Sequence, residues 1–191
     1  MNLRLVYSFC LVLAFSLNSI AQEKWNKTQI SEAIQVELPP HFMPVSEQDM
    51  AEKYISYRTP LALYTTPDRK ADFSVNLTVT PWADSDLPLM KDFYKASLST
   101  LYTQIDWLTE EIREVNKQSY AIFEYMGTVA QEEDENALRR LPPLETYNYI
   151  AYTIRGGKVA VFTFSAPAAQ RNYYQPTAER LMNSVKIKGD L

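Results

Sequence analysis

The 191-residue chain contains 1 cysteine, 1 histidine and only 4 glycines. The cysteine is Cys10, inside an apolar N-terminal run. Downstream of that run there is no disulfide, no thiolate nucleophile and no cysteine-based zinc site. A histidine-based zinc site is excluded by the single imidazole of His41. No glycine-rich loop precedes a helix and no Gly-Lys-Ser/Thr follows one, so phosphate cradles and nucleotide or dinucleotide cofactors have no support. Positive charge is also short, since the formal net charge is −4. That balance argues against nucleic acid or an anionic membrane surface as partner. Aromatics are what the chain has in quantity, with 13 tyrosines, 8 phenylalanines and 3 tryptophans. With 46% apolar and 22% charged residues, this is the composition of a sheet-rich globular protein.

Residues 1–21 read as a secretory signal peptide. Arg4 supplies the positive start, Leu5 to Leu17 the apolar centre, and Ser19-Ile20-Ala21 a small-x-small cleavage site before Gln22. The apolar stretch is about 13 residues, against roughly 20 needed to span a bilayer, so a membrane anchor is rejected. Cys10 follows Phe9 rather than a small-residue box, which rejects a lipid anchor. Every later apolar run is interrupted by charge. An exported chain without disulfides favours a Gram-negative periplasm, or secretion.

Residues 22–32 are expected to form a flexible N-terminal segment, and residues 33–191 a single α+β domain. Ala33 to Leu38 alternates as a half-buried strand and Pro39-Pro40 stops it. Ser46 to Tyr57 predicts a short helix with Ser46 as cap. Leu61 to Thr65 and Phe73 to Thr80 predict strands around a turn at Thr66–Lys70. Ser85-Asp86-Leu87-Pro88 opens a helix whose stripe is Leu87, Met90, Tyr94, Leu98, Leu101 and Ile105. Trp107 to Val115 and Ser119 to Val129 predict strands joined at Asn116-Lys117-Gln118. Thr146 to Arg155 and Lys158 to Ser165 flank Gly156-Gly157, the pair that suits a two-residue hairpin turn. Pro176 to Ser184 predicts a last helix, with Ala178, Leu181, Met182 and Val185 inward. The sum is a twisted antiparallel β-sheet of about six strands flanked by helices.

These patterns resemble the family that includes Mog1, PsbP and the DcrB-like bacterial envelope proteins. The resemblance rests on Val36-Glu37-Leu38-Pro39 with Phe42, the helix leading into Trp107, and Phe123-Glu124-Tyr125 in paired strands. It also rests on the Gly156-Gly157-Lys158 hairpin into Val159–Phe164, and on Leu181-Met182-Asn183-Ser184-Val185 closing a helix. It spans most of residues 33–187. It implies an αβα sandwich around a curved sheet and a non-enzymatic binding or assembly role. Within that group one member binds a small GTPase and another supports the oxygen-evolving centre. No functional residue carries over, because no ligand motif here matches.

Candidate chemistry is sparse. His41 lies near Ser46, Glu47 and Asp49 in sequence, but no Gly-x-Ser-x-Gly elbow accompanies it, and a turn histidine is the preferred reading. The run Glu132-Glu133-Asp134-Glu135 lacks the alternating layout of a calcium loop and reads as a solvated loop, with Arg139-Arg140 balancing its charge. Glu110, Glu111, Glu114 and Glu124 fall on adjacent strands, so a glycosidase-like pair is geometrically open, although glutamates on a wet strand face give the same pattern. In the Gly-Gly hairpin Tyr147, Tyr149, Phe162 and Phe164 share one face, with Tyr149 opposite Phe164 and Arg155 opposite Lys158. They are the candidate ligand or partner face, for a sugar, lipid or peptide, and ordinary core packing is the preferred alternative. Tyr173, Tyr174 and Trp82 are expected at the surface because they sit at element ends. The function this supports is an exported non-enzymatic binding or assembly factor with no cofactor and an unknown envelope protein or small ligand as partner. The alternatives are a lipid or sugar carrier and a carboxylate-based glycan hydrolase.

Overall fold

A computed structural model describes residues 24–53, 59–79, 82–130 and 142–191. Residues 1–21, expected as a signal peptide, with Cys10 among them, the acidic run 132–135 and Arg139-Arg140 lie outside the described residues. The elements in chain order are β1 Asn26–Gln29, β2 Ile34–Leu38, β3 Met43–Pro44, α1 Glu47–Lys53, β4 Ala62–Thr65 and β5 Asp72–Val79. They continue with α2 Leu87–Leu101, β6 Gln104–Val115, β7 Gln118–Val129, β8 Leu144–Arg155, β9 Lys158–Pro167, α3 Arg171–Ser184 and β10 Lys186–Ile187.

The strands make two antiparallel sheets. The main one has seven strands in the order β3-β4-β5-β9-β8-β7-β6, and the small one runs β1-β2-β10. The sheet is thus one strand larger than the roughly six expected, and the strand at residues 34–38 belongs to a second sheet. The neighbours β1–β2, β4–β5, β6–β7 and β8–β9 pair through short connections, as antiparallel topology favours. Asn116 and Lys117 (φ 51° and 67°) and Gly156 and Gly157 (φ 59° and 72°) give both long hairpins left-handed two-residue turns. The second turn sets the register Tyr149↔Phe164 and Arg155↔Lys158.

Alternation along each strand sends side chains to two sides. On one side of the main sheet, Phe73, Ile122, Tyr147, Tyr149, Phe162 and Phe164 pack against Ala178, Leu181 and Met182 of α3 and Ile34 and Val36 of β2. On the other, Phe123, Tyr125, Ile150 and Tyr152 pack against Leu87, Met90 and Leu98 of α2. The layers are therefore α2, the main sheet, then α3 with the small sheet. Both sheet faces are covered.

Some boundaries differ from expectation. Asn26–Gln29 is a strand rather than a flexible lead, because β2 offers it a backbone ladder from Asn26↔Leu38 to Gln29↔Gln35. Helix α2 stops at Leu101, which is exposed, and Ile105 enters β6; the Thr103 amide bonds to the Thr128 carbonyl at 2.8 Å, so strand pairing wins. Helix α3 begins at Arg171 and carries Pro176 inside it. That proline removes one helical hydrogen bond. Burial of Tyr174 and the bond made by Gln175 hold the turn before it. Tyr174 is consequently buried, not exposed as expected; Tyr173 is 71% exposed.

Candidate functional site

Strand β7 alternates Tyr120, Ile122, Glu124 and Met126 on the α3 face, so Glu124 is a carboxylate in an apolar row. It is 6% exposed, and among the described residues it is the one ionisable side chain in the buried polar set. Burial of a carboxylate demands hydrogen-bond donors. Oε1 accepts from the Tyr147 hydroxyl at 2.9 Å and the Gln175 amide at 2.7 Å, and Oε2 from the Thr109 hydroxyl at 2.9 Å. A bulge between Trp107 and Thr109 re-aims β6 so that the Thr109 hydroxyl reaches across. The reading of Glu124 as a wet-face glutamate is corrected: three neutral donors from β6, β8 and α3 make burial tolerable.

A polar seam extends from this carboxylate along the margin of α3. The Arg113 guanidinium donates to the Tyr149 hydroxyl at 3.4 Å and pairs with Glu111. Burial pushes the Tyr149 phenol up to about 12, opposed by the Arg113 charge. The Tyr147 phenol is also pushed up, by burial and then by the carboxylate it donates to. Past the seam a mixed-charge groove of about 540 Å³ runs along α3, lined by Glu37, Asn116, Pro176, Glu179, Arg180, Asn183, Ser184 and Lys186. Asn116 crosses to α3 there, donating to the Asn183 and Val185 carbonyls at 3.2 and 2.7 Å.

The four hairpin aromatics lie together as the register requires. Tyr147, Phe162 and Phe164 are fully buried and Tyr149 is 2% exposed. Phe164 meets Phe42, Tyr147 and Tyr174 at ring separations of 6.1, 6.4 and 6.0 Å. The polar handles of the set are the Tyr147 and Tyr149 hydroxyls, which face the seam.

The acidic residues of the hydrolase reading divide between the two faces of the sheet. Glu110 points to the α2 face, held at 2.6 Å by Lys91 and also by Lys95. Those two ammonium groups lower its pKa. Glu111 and Glu124 face α3, and Glu114 is exposed near the β6–β7 turn. His41 sits in the turn after Pro39-Pro40 with its ring 5.3 Å from Phe42. The Ser46 hydroxyl caps α1 by accepting the Asp49 amide at 3.1 Å. Among the described residues no group of three His, Cys, Asp or Glu side chains could hold a metal, and no helix is long and apolar enough to cross a membrane.

Sequence reasoning passed over Leu89 and Phe93, which are exposed on α2. Their signal was present: both fall off the stripe Leu87, Met90, Tyr94 and Leu98. It also passed over Gln175, which has no local signal because it lies 51 residues from its acceptor.

Two helical layers around a curved antiparallel sheet, with an extra small sheet beside α3, constitute the Mog1/PsbP-like α+β fold. The similarity extends over nearly the whole chain in several solved structures. Cyanobacterial PsbP (CyanoP) from Synechocystis aligns at TM-score 0.55 and 14% identity, covering 91% of this chain and 98% of that one. LpqN, involved in cell envelope biogenesis of Mycobacterium tuberculosis, aligns at 0.55 and 9%, covering 87% and 91%. The Ran-binding protein Mog1p of Saccharomyces cerevisiae aligns at 0.52 and 12%, covering 87% and 96%. No family model matches the sequence and no curated protein matches it.

Proposed function

We propose that this protein is a non-enzymatic binding or assembly factor of a bacterial cell envelope, exported by means of residues 1–21. The observation that carries this reading is that the strand glutamates are engaged by structural partners. Glu110 and Glu124 point to opposite faces of one sheet, each held by side chains that seat a helix, and Glu111, which shares the Glu124 face, is paired with Arg113. Hydrolysis by a carboxylate pair needs both groups across one cleft. The fold lends support, since solved structures that share it include a Ran-binding protein and an envelope-biogenesis protein. Fold alone does not confer their partners.

Native mass spectrometry of protein purified gently from its own envelope, after crosslinking in the cell, tests the reading. The expected result is a chain beginning at Gln22 with a protein partner attached. A bound lipid or sugar released on denaturation would replace it with the carrier reading, in which α3 lifts to open Tyr147, Tyr149, Phe162 and Phe164. Turnover of an envelope glycan that a Glu124→Gln or Glu110→Gln substitution abolishes in folded protein would overturn it in favour of a hydrolase.

A further inference from the structure

A surface helix turns its apolar side chains toward the core. Helix α2 does so with Leu87, Met90 and Leu98, all buried. Leu89 and Phe93, one turn apart, break the rule at 60% and 53% exposed. The Trp82 ring comes within 5.8 Å of Phe93, so the indole and the phenyl form one ridge with Leu89. Phe93 meets Tyr94 edge-on at 5.4 Å, and Tyr94 stacks on Tyr152 of β8 at 4.2 Å. The ridge is therefore braced on rings fixed in the core. Rigid aromatic anchors lose little freedom on binding, which is why they dominate interfaces.

Carboxylates flank the ridge. Asp84 and Asp86 lie in the turn between Trp82 and α2, and Asp92 stands beside Phe93. The carboxylate of Asp86 accepts the Ala83 amide at 2.9 Å and the Ser85 hydroxyl at 3.3 Å, both neutral donors. The two lysines of α2, Lys91 and Lys95, are both drawn away to Glu110. Among the described residues no cation pairs with the three aspartates.

We propose that the Trp82–Leu89–Phe93 ridge, with its aspartate rim, is the docking surface for a cationic amphipathic segment of a partner protein. Apolar side chains of that segment cover the ridge while its lysines or arginines meet Asp84, Asp86 and Asp92. The rim repels an anionic bilayer. A two-fold contact between copies would bring the same carboxylates toward their own equivalents. This inference rests on the binding-factor reading and assigns its surface.

The test uses the purified chain and two synthetic helical peptides of equal length, one built of leucine and lysine on opposite faces and one with glutamate replacing lysine. The lysine peptide is expected to shift the amide resonances of residues 82–93 and the Trp82 fluorescence, with binding that weakens as salt is added. L89S/F93S, changed on the solvent side and folded by circular dichroism, should bind about tenfold or more weakly. D84N/D92N should bind more weakly with less salt dependence, and the glutamate peptide should not bind. Equal binding by L89S/F93S, or shifts confined to α3 or β6, overturns the proposal. So does a wild-type dimer that L89S/F93S dissociates, or cosedimentation with phosphatidylcholine vesicles in place of peptide binding. In the envelope, a crosslinked partner that L89S/F93S retains overturns this surface and leaves the binding role standing. No partner for the wild type overturns the binding role itself.

Discussion

Phe123 and Glu124 are consecutive in β7 and point to opposite sides of the main sheet. Around Phe123 the packing is apolar and aromatic, with Trp107 and Tyr152 at 5.7 and 5.9 Å, and at its margin α2 is tied down by Lys91 and Lys95 on Glu110. Around Glu124 the apolar layer is interrupted by a carboxylate that gathers one donor each from β6, β8 and α3. Apolar burial is strong but has no direction, whereas hydrogen bonds to a buried charge fix position. The two helices are thus seated differently: α2 by area with an electrostatic latch, α3 by area with an internal directional lock. The difference also explains where surface is left for partners. The margin latch consumes the lysines of α2, leaving its outer face acidic and apolar.

Alkali should erase this distinction with the largest effect, because buried phenols lie on both faces. Tyr120, Tyr147 and Tyr149 face α3, Tyr125 and Tyr152 face α2, and burial raises the pKa of every one above its ordinary 10.0. A pKa raised by folding means that the folded state prefers the neutral phenol. The corresponding stability is complete below pH 10 and is lost as pH climbs through the folded values, the Tyr149 value being about 12. Tyrosinate absorbance and near-ultraviolet dichroism should therefore change together in one cooperative step. Separate steps for the two faces would break the picture. Acid should act on the α2 side through Glu110. The pKa of Glu110 is depressed from 4.5 by Lys91 and Lys95, so its contribution holds above that value and fades as pH falls through the depressed one. Amide exchange in α2 should quicken there, and Glu110→Gln should remove the pH dependence.

Neighbouring truncations in β7 come next in size. Phe123→Ala opens a cavity and should cost about 3–5 kcal/mol in urea unfolding. Glu124→Ala should cost about 2–4 kcal/mol by a different route, since it strands the Tyr147, Thr109 and Gln175 donors. The routes separate in a double-mutant cycle. Tyr147→Phe alone should cost about 1–2 kcal/mol, and much less when Glu124 is already leucine. No such coupling is expected between Phe123→Ala and Tyr147→Phe, which act on opposite faces.

Most of the fold could be read in the chain because its signals are local. Alternation in residues 72–79 and 118–129, the Gly156-Gly157 turn and the stripe of α2 each specify an element without reference to distant residues. What could not be read depends on pairing. Asn26–Gln29 is polar and without period, and becomes a strand because β2 is beside it. Ile105 continues the helical spacing, yet opposite Gly127 it joins a ladder. The candidate sites divide in the same way. The four hairpin aromatics follow from register, whereas the lock on Glu124 needs Thr109, Tyr147 and Gln175 from three separate elements. A strand glutamate in a run of Tyr120, Ile122 and Met126 is a warning that such donors exist, but not where they are.

The smallest predicted effect is the most specific to the comparison. Tyr125 and Tyr120 are both nearly inaccessible and both in β7, one on each face. The Tyr125 hydroxyl meets that of Tyr102 at 3.2 Å, while the Tyr120 hydroxyl is buried without a hydrogen-bond partner among the described residues. An unpaired buried hydroxyl forfeits its hydration and gains nothing in return. Tyr120→Phe should therefore be neutral or stabilising by up to about 1 kcal/mol, and Tyr125→Phe destabilising by about 0.5–1 kcal/mol. The sign, read from urea midpoints at unchanged slope, is the measurement. If Tyr120→Phe destabilised the protein, its hydroxyl would have a partner on the α3 face, and that face would contain a second polar lock beyond Glu124.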